Sequence, residues 1–104
     1  MINIPDIQEK IKTDFVAQAE EVFELIKAAI AGSDHLNNPR IIRCIIFLAD
    51  KNIEQLKKSI ITATIDHRDI MLWAEYIQNG PGDQTTRVRD FNKTFALSET
   101  DVRE

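Results

Sequence analysis

A chain of 104 residues, 43% apolar and 29% charged, has the size of one domain, which excludes a two-domain enzyme with its cleft between the domains. Seventeen acids against thirteen lysines and arginines leave a net charge of −4, the wrong sign for a protein built mainly to neutralise phosphates. The lone Cys44 closes no internal disulfide, and a chain of this length buries enough surface to fold without one.

Met1-Ile2-Asn3-Ile4-Pro5-Asp6 has neither a basic start nor a continuous apolar stretch, so no secretory signal is expected and the expected compartment is cytoplasmic. The longest apolar run, residues 44–49, falls far short of the ~18 residues a spanning helix needs, so no membrane partner is expected.

Ile7, Ile11, Phe15, Ala19, Val22, Phe23, Ile26 and Ile30 recur at the three-and-four spacing of one helix face and predict a single long helix over residues 6–31. Pro5, Asp6 and Glu9 suit its first turn, and Gly32 suits its end. Glu20, Glu21 and Glu24 make its outer face acidic. Such a helix spans ~39 Å, about twice the length of the helices that follow, and overhangs any one of them. The overhang asks for cover from two helices stacked end to end, from the C-terminal segment or from a second copy, and a two-fold homodimer is the expected assembly.

Asn38-Pro39 is a start signal for a second helix, the Asn as cap and the Pro at the first helical position. Residues 41–48 are rich in β-branched side chains and would suit a buried strand. The start signal favours a helix, as does the narrow polar stripe of Arg40, Arg43 and Asp50, and the apolar remainder makes that helix central with Cys44 in the core. Asn52 with Gln55 forms a capping box for a third helix ending near Ile65, with Ile53, Leu56, Ile60, Ala63 and Thr64 inward. Asp66, with Asp69 three residues on, starts a fourth that places Ile70, Trp73, Ala74 and Ile77 inward and stops at Gly80-Pro81-Gly82. Residues 83–104 are polar but carry Val88, Phe91, Phe95 and Leu97, the pattern of an arm that docks on its own helices or on a partner chain. The expected fold is all-α: a helical domain over residues 1–82, with one long N-terminal helix and three shorter ones, and a docked C-terminal arm over 83–104.

The densest group of titratable and aromatic residues is Asp66-His67-Arg68-Asp69 followed by Trp73, Glu75 and Tyr76. If the second and fourth helices pack together, Arg40 and Arg43 join it. Arg40, Arg43, His67, Arg68, Asp69, Trp73, Glu75 and Tyr76 then form a candidate ligand site, with guanidinium and imidazole groups for a carboxylate or phosphate and an aromatic wall. Capping aspartates, a core tryptophan and Arg–Glu pairs between helices explain the same residues without a ligand.

No catalytic set is legible. Ser33, Ser59 and Ser98 lack a nucleophile-elbow context, and three glycines leave no phosphate-cradling loop. His35 and His67 have no metal-ligand spacing, so no metal and no cofactor is expected. The second and third helices resemble a helix-turn-helix in outline, but Asp50 and Glu54 interrupt the basic set Arg40, Arg43, Lys51, Lys57 and Lys58, so no nucleic acid is expected. The sequence reads as a small non-catalytic interaction or regulatory protein that self-associates; the competing reading is a binding protein or minor enzyme for a small anionic metabolite.

Overall fold

The computed structural model describes residues 4–78 and 85–95. It is mostly helical, with five α-helices among the described residues: α1 (Pro5–Asp14), α2 (Ala19–Gly32), α3 (Pro39–Ala49), α4 (Ile53–Ile65) and α5 (His67–Glu75). A 3-10 turn at Asp34–Leu36 links α2 to α3, and β1 (Tyr76–Gln78) pairs antiparallel with β2 (Thr85–Arg87), Tyr76 opposite Arg87.

The predicted long helix is two helices. It breaks at Phe15, whose φ of −124° and ψ of 50° leave the helical region. Thr13, Asp14, Phe15 and Val16 all lie toward the weak end of the helix-propensity scale, so this is where the backbone bends most cheaply. The bend drives Phe15 into the core and leaves Val16 outside, and it lets Ile7 and Ile11 of α1 share one core with Val22 and Ile26 of α2. Helices of ten and fourteen residues span only ~15 and ~21 Å, so the overhang that suggested a second copy is gone.

The three later helices start where their caps place them. Asn38 Oδ1 accepts from the Arg40 N–H at 2.9 Å, with Pro39 at the first helical position. Asn52 Oδ1 accepts from the N–H groups of Glu54 and Gln55, while its own N–H is taken by the Ala49 carbonyl in place of a reciprocal Gln55 bond. Asp66 Oδ1 accepts from the Arg68 N–H. Residues 41–48 are helical, and α3 is the central element, packed on α1, α4 and α5 with six consecutive buried residues from Ile41 to Ile46, Cys44 among them. It ends in a left-handed turn at Asp50 and Lys51, which have positive φ.

Two inward placements are corrected. Thr64 is exposed and donates its hydroxyl back to the Ile60 carbonyl, satisfying itself within its own helix. Trp73 is 55% exposed, because Ile70, Ala74 and Glu75 take the inner face of α5. The fourth predicted helix also stops early. Tyr76 is extended, and the Glu75 carbonyl accepts from the N–H groups of Val88 and Arg89, so the returning chain replaces the next helical turn. Ile77 is therefore in β1; Gly80-Pro81-Gly82 and Leu97 lie outside the described residues.

Residues 88–95 lie on the chain's own helices. Phe91 is 1% exposed, with its ring 5.4 Å from that of Phe47 and 5.6 Å from that of Phe95. Among the described residues no helix is long and apolar enough to cross a membrane. Truncation separates core from surface: Ile46→Ala should lower the unfolding free energy by about 2–5 kcal/mol in urea titrations, whereas Val16→Ala should stay within about 0.5 kcal/mol of wild type.

Candidate functional site

The packing of α3 against α5 brings part of the predicted set together and closes it. Arg40 Nε donates to Glu75 Oε2 at 3.0 Å and its Nη2 donates to Oε1, a two-pronged pair between helices. Glu75 is fully buried, and its Oε2 also accepts the Phe91 N–H at 2.9 Å. The Glu75 hydrogen bonds raise the pKa of the Arg40 guanidinium, against the opposing effect of burial.

One helical turn on, Arg43 is 6% exposed. Its Nε and Nη2 donate to the two carboxylate oxygens of Asp6 at 3.0 and 2.9 Å, and its Nη1 donates to the Phe91 carbonyl at 3.0 Å. Asp6 Oδ2 in turn accepts the Phe95 N–H at 3.0 Å. Burial by itself would raise the Asp6 pKa, but the Arg43 hydrogen bonds, the Phe95 N–H and the Arg43 charge outweigh it, so the carboxyl lies below its ordinary value of 3.8. Asp6, eighty-odd residues from the arm it holds, gave only a first-turn signal in the sequence. Nothing local marks such a long-range partner, although two arginines on a mostly apolar helix already call for buried acids.

The other predicted residues stand apart from this network. Arg68 is exposed and turned back onto Asp66, which it pairs at 3.1 Å. The Arg68 hydrogen bonds lower the Asp66 pKa. Asp69 is exposed in the first turn of α5, and its N–H donates to the Asp66 carbonyl. Trp73 is exposed, and Tyr76 has left the helix for β1. A surface depression of about 430 Å³ is lined by Lys10, Asp14, Phe47, Leu48, Asp50 and Lys51, none of them from the predicted set.

His67 has a partner that sequence spacing did not show. His35, in the 3-10 turn, lies with its ring centre 5.4 Å from that of His67, and its Nε2 is 3.0 Å from the Ala63 carbonyl. The buried Leu36 anchors the turn, and the Asp66 cap fixes where α5 begins, so two distant stretches of chain converge.

Arg89 completes the arm's attachment. Its Nη1 donates to the Ala74 carbonyl at 3.2 Å, and its guanidinium lies 4.2 Å from the centre of the Phe47 ring. The arm is thus held by charged side chains gripping backbone and by aromatic rings, while Arg40 and Arg43 each face a carboxylate of the protein itself. An anionic ligand would have to displace Asp6 to reach the buried Arg43 guanidinium, and would compete with Glu75 for Arg40. In comparisons with family models, curated proteins and solved structures, the chain matches none.

Because the folded Asp6 pKa is depressed, the stability it contributes is present above about pH 4 and is lost as pH falls below that, through the folded value. Asp6→Asn removes the titrating group. Urea midpoints measured from pH 6 down to pH 2 should therefore fall more for wild type than for Asp6→Asn, with the two curves approaching each other at the acid end. A constant gap across that range would show that Asp6 has no shifted titration.

Proposed function

We propose that this chain is a non-catalytic helical interaction module that works in the cytoplasm and associates with a second copy of itself. The observation that carries the reading is the exposure of Ile61 and Ile65 on α4 and of Leu72 and Trp73 on α5, Ile65 at 81%. Single exposed apolar residues are ordinary on a monomer, but four large ones on two consecutive, mutually packed helices are more than scatter. Tryptophan is also among the residues enriched where binding energy concentrates.

The closed Arg40–Glu75 and Arg43–Asp6 pairs support this reading over the metabolite-binding one, because the charges that would attract an anion already serve the fold. A two-fold dimer is the simplest closed assembly for such a face, and a stable one covers ~800 Å² on each copy.

Sedimentation velocity between 1 and 100 µM (roughly the range in which modest interfaces form) tests it. Wild type should shift from monomer to dimer with concentration, and Trp73→Ala and Ile65→Lys should each remain monomeric with unchanged far-ultraviolet circular dichroism. A wild-type chain that stays monomeric throughout, or variants that dimerise as wild type does, would overturn the reading.

A further inference from the structure

We propose that His35 and His67 form a two-imidazole binding site for a borderline transition-metal cation such as zinc. Three observations support it, and none depends on the self-association reading.

The first is spacing. An imidazole nitrogen bonds zinc at ~2.1 Å, which sets the ring centre ~3.2 Å from the metal, so two rings at a tetrahedral angle stand ~5.2 Å apart. The His35 and His67 ring centres are 5.4 Å apart, with the planes inclined by 46°. The pair already has the separation of two ligands on one ion.

The second is the state of His35. Its Nε2 is 3.0 Å from a carbonyl oxygen, which accepts only, so Nε2 carries the hydrogen and donates it to Ala63. In the neutral ring this leaves the lone pair on Nδ1. An imidazole whose second nitrogen donates to a backbone carbonyl is the usual arrangement of a metal-bound histidine, because it fixes both tautomer and ring orientation. Binding at Nδ1 then displaces no proton.

The third is the electrostatic setting. Asp66, which pairs with Arg68, lies close enough to His67 for their charges to interact, and Asp34 and Asp69 stand within two residues of the histidines in the sequence. Among the described residues no three metal-ligating side chains cluster. The protein therefore supplies two donors, and water fills the remaining positions of the ion. A site of this kind is open and exchangeable, and it prefers nitrogen-seeking ions such as zinc, nickel or copper over magnesium or calcium.

The test is zinc chloride titrated into the tag-free full chain at neutral pH, followed by calorimetry and by the nitrogen-15 resonances of the imidazoles. One equivalent of zinc should shift the signals of His35 and His67 together, and magnesium at the same concentration should leave them in place. His35→Gln and His67→Gln, each checked for a wild-type circular dichroism spectrum, should each weaken zinc binding at least tenfold. The proposal is overturned if only one imidazole responds, if zinc binds with wild-type affinity to either variant, or if no heat and no shift accompany zinc addition. Should one variant fail to fold, the joint shift of both imidazoles in wild type still decides the matter.

Discussion

Arg43 sits in the middle of the helix that carries the core, surrounded in sequence by isoleucines and a cysteine, and its guanidinium is nevertheless out of water. Taking that charge from solvent costs several kcal/mol unless its donors find partners of fixed geometry. They do: both oxygens of Asp6 from the start of the chain and the Phe91 carbonyl from near its end. Two stretches far apart in the sequence are thereby tied to one side chain. Among the described residues no buried side-chain nitrogen or oxygen is left without a partner. A network so fully satisfied favours a single register of α1, α3 and the arm, since any slip would strand a buried charge.

Glu75 repeats the arrangement with the opposite sign. It is an anion buried at the end of α5, held by Arg40 and by the Phe91 N–H. Phe91 is thus gripped through both of its backbone groups, the N–H by an acid and the carbonyl by a base, while its ring fills an apolar slot beside Phe47 and Phe95. The division of labour across the molecule follows. Among the described residues Arg43 and Glu75 are the charged side chains buried in the core, where they fasten the arm, while Ile61, Ile65, Leu72 and Trp73 stand exposed on α4 and α5. The proposed interaction module rests on this distribution.

The features legible in the sequence were those with a local physical cause. Asn38, Asn52 and Asp66 accept backbone N–H groups within three residues, so each cap could be read from its own neighbourhood. The Asn38-Pro39 start signal and the polar stripe of Arg40, Arg43 and Asp50 mark residues 41–48 as helical against their β-propensity. The break at Phe15 was hidden because apolar spacing continued through it; the run of weak helix formers from Thr13 to Val16 was the available sign. Trp73 falls on the apolar spacing of Ile70, Ala74 and Ile77 and so reads as inward, whereas the buried Glu75 takes the inner end of α5 for its pair with Arg40. The Asp6–Arg43 pair and the approach of His35 to His67 join residues 37 and 32 positions apart, and no periodicity reports on contacts of that kind.

The network makes the Phe91 amide the most informative single proton in the molecule, since its hydrogen bond exists only while Glu75, Arg40, Arg43 and the arm are assembled. Hydrogen exchange measured by nuclear magnetic resonance at neutral pH reads it directly. On this account the Phe91 N–H is protected to the same degree as the amides of α3, because both open only when the fold opens. Exchange of Phe91 at the rate of an unstructured peptide, with the α3 amides still protected, would contradict it and detach the arm from the fold.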